Sequence, residues 1–396
     1  MPITAATNDR SAVGDEQAPS SSEIRLDRAE SSYIPSLDGI RAFAILLVFI
    51  SHLQNKNALG GFGVTLFFFL SGYLIVTLLR REAEREGWIS LKMFYARRML
   101  RIFPPCYLVL AVALSLNLMG IVRGGHSPAG ILAECFYFTN YYEIAGGNAI
   151  PRGTTVLWSL AVEEHFYLVF PLLYIVLRRF YPKPIQQVLI LSWLCVVILI
   201  WRLMLIIHFH ATDIRTNMAT DTRFDSILFG CILAIYGNPV MDRTRVPERV
   251  WKWILLPISI AALSLSLLIK NDIFRETQQY TLQGIALFPV FITAVRYPRW
   301  LAFRVLNLRA VRFLGVLSYT LYLVHYIVIS TVNYWIHSGI LVRTILSLII
   351  SLLVTIAIYY LVERPCARLR RHLRSRPVRE SAPPLPVSVA VPATVL

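Results

Sequence analysis

The chain has 396 residues, 56% of them hydrophobic and only 16% charged, and its mean hydropathy of +0.58 is too apolar for a soluble globular protein of this length. A formal charge of +16, from 39 Lys and Arg against 23 Asp and Glu, would point to nucleic acid in a soluble chain. Here the basic residues stand in short clusters between apolar runs, which excludes that partner in favour of membrane topology and anionic lipid. The predicted fold class is all-α, a polytopic integral membrane bundle whose first partner is the lipid bilayer.

Residues 1–33 are polar and lack the apolar core of a cleavable signal peptide. They read as a disordered cytoplasmic tail. Ten apolar runs long enough to span follow, at about 37–54, 62–79, 102–121, 156–177, 186–207, 222–237, 253–269, 281–297, 313–335 and 340–362. The connections after the second, fourth, sixth and eighth runs, with the C-terminal segment, hold most of the Arg and Lys. The alternate connections hold only Lys56, Arg123, Arg152, Arg215, Lys270, Arg275 and Arg343. Both termini are therefore expected in the cytoplasm, and the location expected is a bacterial cytoplasmic (inner) membrane. Residues 87–101, GWISLKMFYARRMLR, mix aromatic and basic residues at helical spacing and are expected as a helix lying in the cytoplasmic interface. The long aromatic connection 123–155 is expected to cap a cavity on the outer side. Domain boundaries follow: a tail over 1–33, a transmembrane domain over 34–365, and a tail over 366–396, first basic and then rich in Pro, Ala and Val.

The five cysteines have no CxxC spacing and read as small buried hydrophobes. No metal site is expected. The ionisable residues inside or beside the runs are few, and each costs about 2.5 kcal/mol or more at depth, so each needs a reason. In SLDGIRAFAILLVFISH, residues 36–52, Asp38 and Arg41 begin the run and His52 ends it. A helix puts Arg41 and His52 on nearly one face, about 16 Å apart along the axis. In WSLAVEEHFYLVFP, residues 158–171, Ser159, Glu163, Phe166 and Phe170 share a face, so Glu163 and Glu164 point about 100° apart and one of them is expected to face a site. Trp158 and Tyr167 lie in the same motif. In TRFDSILFG, Arg223 and Asp225 are embedded, and in SYTLYLVHY, Ser318, Tyr322 and His325 form a stripe. Pairing between helices explains any one of these alone, whereas a neutral imidazole is the side chain best suited to take a proton from a hydroxyl. Arg98 and Arg101, in RRMLRIFPP, are spaced to grip phosphates or to anchor the chain at the membrane surface.

Together, LDGIRAFAILLVFISH, FFFLSGYLI with Ser71, RRMLRIFPPCY, WSLAVEEHFYLVFP, TRFDSILFG, and SYTLYLVHY followed by ERP resemble the motifs of the acyltransferase 3 family, in order, over about residues 36–365. The resemblance implies an integral membrane O-acyltransferase built as a ten-helix bundle. Its donor would be acyl-CoA, acetyl-CoA by family habit, and its acceptor a hydroxyl of an extracytoplasmic carbohydrate or glycoconjugate. Carried onto this chain, His52 is the base and Arg41 its partner, Arg98 and Arg101 contact the CoA phosphates, and Glu163, Ser71, Tyr322 and His325 occupy motif positions without assigned roles. Two positions depart from the family pattern, Val156 in place of a histidine and His165 in place of a glutamine, and both bear on acceptor choice. About 30 residues follow position 365, so a stand-alone transferase domain is expected. Polar residues lining a bundle also suit a transporter or flippase, but the symmetric Gly- or Pro-broken helix pairs of such proteins are not evident.

Overall fold

The computed structural model describes residues 34–54 and 57–373. The tail expected over 1–33 and most of the one expected over 366–396 lie outside the described residues. Each of the ten apolar runs carries a helix: α1 (Pro35–Gln54), α2 (Asn57–Glu86), α3 (Leu91–Leu118), α4 (Leu157–Phe180), α5 (Pro184–Ile207), α6 (Thr220–Ile235), α7 (Leu256–Leu268), α8 (Gln278–Arg296), α9 (Arg309–Trp335) and α10 (Ile340–Ile358). Among the described residues there is no strand, only an isolated antiparallel bridge between Gly124 and Pro151. Eight of the described helices are long and apolar enough to cross a membrane. The two left out are α6, with 16 residues, and α8, with 19, each opening on polar turns (TDTR and QQYT) that shorten the apolar stretch.

The short α6 is the inner helix. From Thr222 to Ile235 every residue except Phe224 is buried, and α2, α4, α5 and α8 pack around it. A helix covered on all sides needs no polar face. Its closest neighbour is reached through glycine: a Cβ on Gly72 would lie 2.0 Å from the Ile227 carbonyl oxygen, and one on Gly230 would lie 1.9 Å from that of Phe69. Small residues of this kind let two helix backbones touch in a membrane, where apolar burial between helices gains little over lipid. Arg202 of α5 and Asp225 of α6, both fully buried, form two parallel hydrogen bonds of 2.8 and 2.7 Å, and Arg202 also donates to the Thr222 carbonyl and to Thr281 Oγ1 of α8. A pair this deep holds position because each charge meets its opposite through two hydrogen bonds.

A second glycine contact joins α1 to α9, where a Cβ on Gly315 would lie 1.8 Å from the Asp38 carbonyl oxygen. The two helices meet again one end further on, through His52 and His325. They therefore run in the same direction.

Two expectations change. The interfacial helix over 87–101 is not a separate element, because α3 runs unbroken from Leu91 through Pro104 and Pro105 to Leu118. Ser90 caps its start by accepting from the Met93 N–H, and no second start signal follows. The prolines remove the helix bonds to the carbonyls of Leu100 and Arg101 without ending the helix. At the other end, helix continues through Arg364–His372, beyond the boundary placed at 365.

The connection between α3 and α4 is folded, with short helices Pro128–Cys135 and Thr139–Ile144. It buries Glu134 and half-buries Glu143, two carboxyls outside the spans. Burial pushes Glu134 up to about 7 despite the Thr154 hydroxyl beside it, and burial together with the nearby Glu134 charge pushes Glu143 up to about 8.

The Gly315 contact implies that Gly315→Ala lowers stability by about 1–3 kcal/mol, the usual cost of overpacking. Gly61→Ala, where a Cβ meets nothing within 4 Å, serves as the control, and thermal unfolding in detergent reads both. The raised carboxyls carry the opposite sign from a salt-bridged acid. Below their unfolded value near 4.5 they have no effect, and between that and about 7–8 the unfolded chain sheds protons that the fold retains, so stability falls as pH rises. Glu134→Gln and Glu143→Gln should raise the melting temperature at pH 8.5 and leave it unchanged at pH 4, and an equal change at both pH values would contradict this.

Candidate active site

A cavity of about 90 Å³ lies between α1, α2, α3, α4 and α9. Its charged wall consists of Arg41 from α1, Arg98 and Arg101 from α3, and Glu163 from α4. Each is delivered by helical spacing: Arg98 and Arg101 are one turn apart, and Glu163 follows Ser159 by four residues on one face of α4. Arg41 bonds Asp38 Oδ1 at 3.1 Å, one turn earlier on its own helix. The Arg98 guanidinium lies over the Tyr167 ring, 4.2 Å from its centroid. Stacking fixes the plane of the group and leaves its in-plane N–H donors free. Neither Arg98 nor Arg101 makes a hydrogen bond or ion pair among the described residues. The wall thus holds three cations against one carboxylate, with a fifth charge, Asp38, turned to Arg41. An anionic ligand is what this field attracts.

The hydroxyls of the cavity are linked in pairs. Tyr167 donates to Glu163 Oε2 at 2.7 Å and lies 3.0 Å from Ser71 Oγ. Tyr322 and Ser159 are 2.6 Å apart, and the Tyr322 hydroxyl donates to the Val156 carbonyl. Ser318 also lines the space. Nine of the residues singled out from sequence therefore converge here: Arg41, Ser71, Arg98, Arg101, Ser159, Glu163, Tyr167, Ser318 and Tyr322.

His52 and His325 do not line the cavity. They form a pair of their own, with His52 Nδ1 3.2 Å from His325 Nε2, beyond Tyr322 by one turn of α9. The Tyr326 ring covers His52 at 4.5 Å between centroids. Arg41 and His52 share α1 but not a contact: about 16 Å of helix separates them, and each has another partner. Asp225 and Arg223 lie elsewhere, Asp225 in the pair with Arg202 and Arg223 fully buried 3.8 Å from the Tyr280 ring centroid, donating to Thr65 Oγ1. Trp158 packs edge-on against Phe68.

The two glutamates diverge as helical geometry requires, since Glu163 faces the cavity and Glu164 does not. His165 turns the other way again: its Nδ1 is 2.7 Å from Thr220 Oγ1, and its ring lies against Phe138 and Tyr141 of the α3–α4 connection. At the other departure from the family pattern, Val156 contributes its carbonyl, which accepts from both Tyr322 and Ser159. Two residues not singled out from sequence belong to the site. Tyr319 lines the cavity and pins α9 to α3 by donating to the Ile102 carbonyl at 2.8 Å. Tyr326 covers His52. Both stand inside SYTLYLVHY, next to residues already chosen, but nothing in the motif tells which of its aromatics face inward. No group of three or more His, Cys, Asp or Glu is placed to hold a metal ion among the described residues.

Comparison with known proteins agrees with this architecture. The chain is 33% identical over 362 residues to the O-acetyltransferase OatA of Staphylococcus aureus (strain NCTC 8325 / PS 47), an alignment covering 86% of this chain and 58% of that protein. It is 34% identical over 316 residues to a second protein of Staphylococcus aureus (strain COL), which carries O-acetyltransferase as a provisional name, covering 76% of this chain and 51% of that one. The chain thus spans little more than half the length of the curated relatives it matches. No solved structure matches it. The family model described as "Acyltransferase domain" matches residues 34–364, and the chain belongs to the acyltransferase 3 family.

Proposed function

We propose that the protein is a membrane O-acyltransferase that moves an acyl group, acetyl in the first instance, from acyl-CoA at the cytoplasmic face to a hydroxyl of a carbohydrate or glycoconjugate on the other side. Membership of the family and the names of the relatives support the reaction class. The distribution of Lys and Arg between connections supports the sidedness, with both termini in the cytoplasm of a bacterial inner membrane. The observation that carries the reading is the division of α1: a cavity walled by Arg41, Arg98, Arg101 and Glu163 near one end, and a histidine pair near the other. A donor with phosphates at one end of a long flexible arm and a thioester at the other suits two such stations about 16 Å apart.

In this reading Arg98 and Arg101 hold phosphate oxygens with the donors that stacking and packing leave unused. His52 takes the proton of the acceptor hydroxyl, whose oxygen attacks the thioester carbonyl. The tetrahedral oxyanion collapses, the C–S bond breaks, and the imidazolium returns its proton to the departing thiolate.

Transfer of labelled acetyl from acetyl-CoA into membrane glycan, in inverted vesicles, tests the reading. His52→Ala should reduce incorporation by about 10²–10⁴-fold with normal membrane expression, and near-normal turnover would remove the histidine from its role. Arg101→Ala should raise the KM for acetyl-CoA about 10–100-fold, the worth of a lost charge-assisted hydrogen bond, with the acceptor KM unchanged. Equal losses on both substrates would make the arginine an anchor.

A further inference from the structure

The histidine pair contains more information than its proximity, because two backbone carbonyls determine where its protons are. His325 Nδ1 lies 2.7 Å from the Tyr322 carbonyl oxygen. A carbonyl only accepts, so this nitrogen carries the proton and the Nε2 of a neutral ring is bare. His52 Nδ1 lies 3.0 Å from the Val48 carbonyl oxygen, so it too carries its proton. That same N–H faces His325 Nε2 at 3.2 Å, donor to acceptor. The result is a directed chain: His52 Nδ1–H gives to His325 Nε2, and His325 Nδ1–H gives to the Tyr322 carbonyl. It leaves one lone pair unused, on His52 Nε2.

His325 is fully buried. It is surrounded by His52 and Phe49 of α1 and by Tyr322 and Tyr326 of its own helix, and among the described residues no carboxylate bonds either imidazole. In acyl-transfer triads the group behind the histidine is a carboxylate that fixes the ring's tautomer and stabilises the charge formed when the base is protonated, without taking the proton itself. An unmatched buried carboxylate is costly inside a bilayer, whereas a neutral imidazole offers the same acceptor without a standing charge.

We propose that His325 is the positioning residue of the His52 base: its Nε2 accepts the hydrogen bond from His52 Nδ1–H and aligns the ring with the His52 Nε2 bare. The proton count closes. The acceptor's O–H proton goes to His52 Nε2, the Nδ1 proton stays on His52 in its bond to His325 Nε2, and His52 Nε2 then gives its proton to the departing thiolate. Tyr322 couples this pair to the cavity, because its carbonyl anchors His325 while its side chain lines the wall.

This inference rests on His52 being the base, and the experiment separates the two. The full chain, labelled with ¹⁵N-histidine and held in lipid nanodiscs, is read by ring ¹⁵N shifts and by coupling across the hydrogen bond, with the His52 signals identified by their loss in His52→Ala. The expected spectrum has His52 protonated at Nδ1 and coupled to His325 Nε2. Protonation of His52 at Nε2 overturns the proposal even if every His325 variant fails to fold. In acetyl transfer, His325→Leu should lower kcat about 10–100-fold, as loss of an orienting partner does, with the KM for acetyl-CoA within about twofold. His325→Gln, which restores an acceptor oxygen, should recover most of that loss. A folded His325→Leu with wild-type kcat, or Leu and Gln variants equally impaired, overturns the positioning role while an inactive His52→Ala leaves the base in place. An active His52→Ala removes the base reading and this one with it.

Discussion

The contact that the site depends on is the approach of Gly315 to the Asp38 carbonyl, where the backbones of α1 and α9 meet with no side chain between them. It sets the separation and relative direction of the two helices that carry the most chemistry. With that end fixed, ten residues along α9 and fourteen along α1 bring His325 and His52 within hydrogen-bonding distance. Helix rise is constant, so a glycine contact at one end dictates which residues face each other at the other. The same principle holds α2 to α6 through Gly72 and Gly230. In a bilayer, where lipid competes for apolar surface, close backbone approach and matched polar pairs replace the hydrophobic core of a soluble domain.

Much of this was legible in the chain because hydropathy in membranes is nearly a direct report of helix position. Each apolar run carries a helix, and the 3.6-residue period separated Glu163 from Glu164 correctly. What the period does not contain is pairing between helices. The contact of His52 with His325 joins residues 273 apart, and nothing in either motif points to the other. The role of Arg41 as partner of His52 came from the family resemblance; about 16 Å of helix lies between the two, and the guanidinium bonds Asp38 Oδ1. The separate interfacial helix over 87–101 failed for a related reason: amphipathic composition describes the surroundings of a segment, not where the helix stops, and α3 has no stop before Leu118.

The embedded charges divide into two kinds by how completely the protein satisfies them. Arg202 and Asp225 answer each other with two bonds, and the remaining donors of that Arg202 edge are taken by Thr222 and Thr281. Such a network holds helices, and of that guanidinium only Nε lacks a partner among the described residues. Arg98 and Arg101 are the opposite case, positioned by stacking and helix geometry with their hydrogen bonds unspent. Isolated cations at that depth are expensive, so their arrangement is consistent with a ligand that supplies the missing anion. Degree of satisfaction, more than burial, separates scaffold from site.

The position of His165 bears on how such a protein diversifies. One helix, α4, presents Glu163 to the cavity and, two residues later, His165 to Phe138 and Tyr141 of the folded connection between α3 and α4. The connection is tied to the bundle by hydrogen bonds from Asn140 to Thr220 of α6 and from Tyr107 of α3 to the Cys135 carbonyl, and by the close approach of Gly153 to Ile327 of α9. Exchanges at Phe138 and Tyr141 alter the neighbours of His165 directly, whereas the seat of Gly153 on Tyr326 and Ile327 holds the end of the connection beside the histidine pair. A scaffold divided in this way permits new partner preferences to arise by small steps, each one leaving the reacting groups where they were.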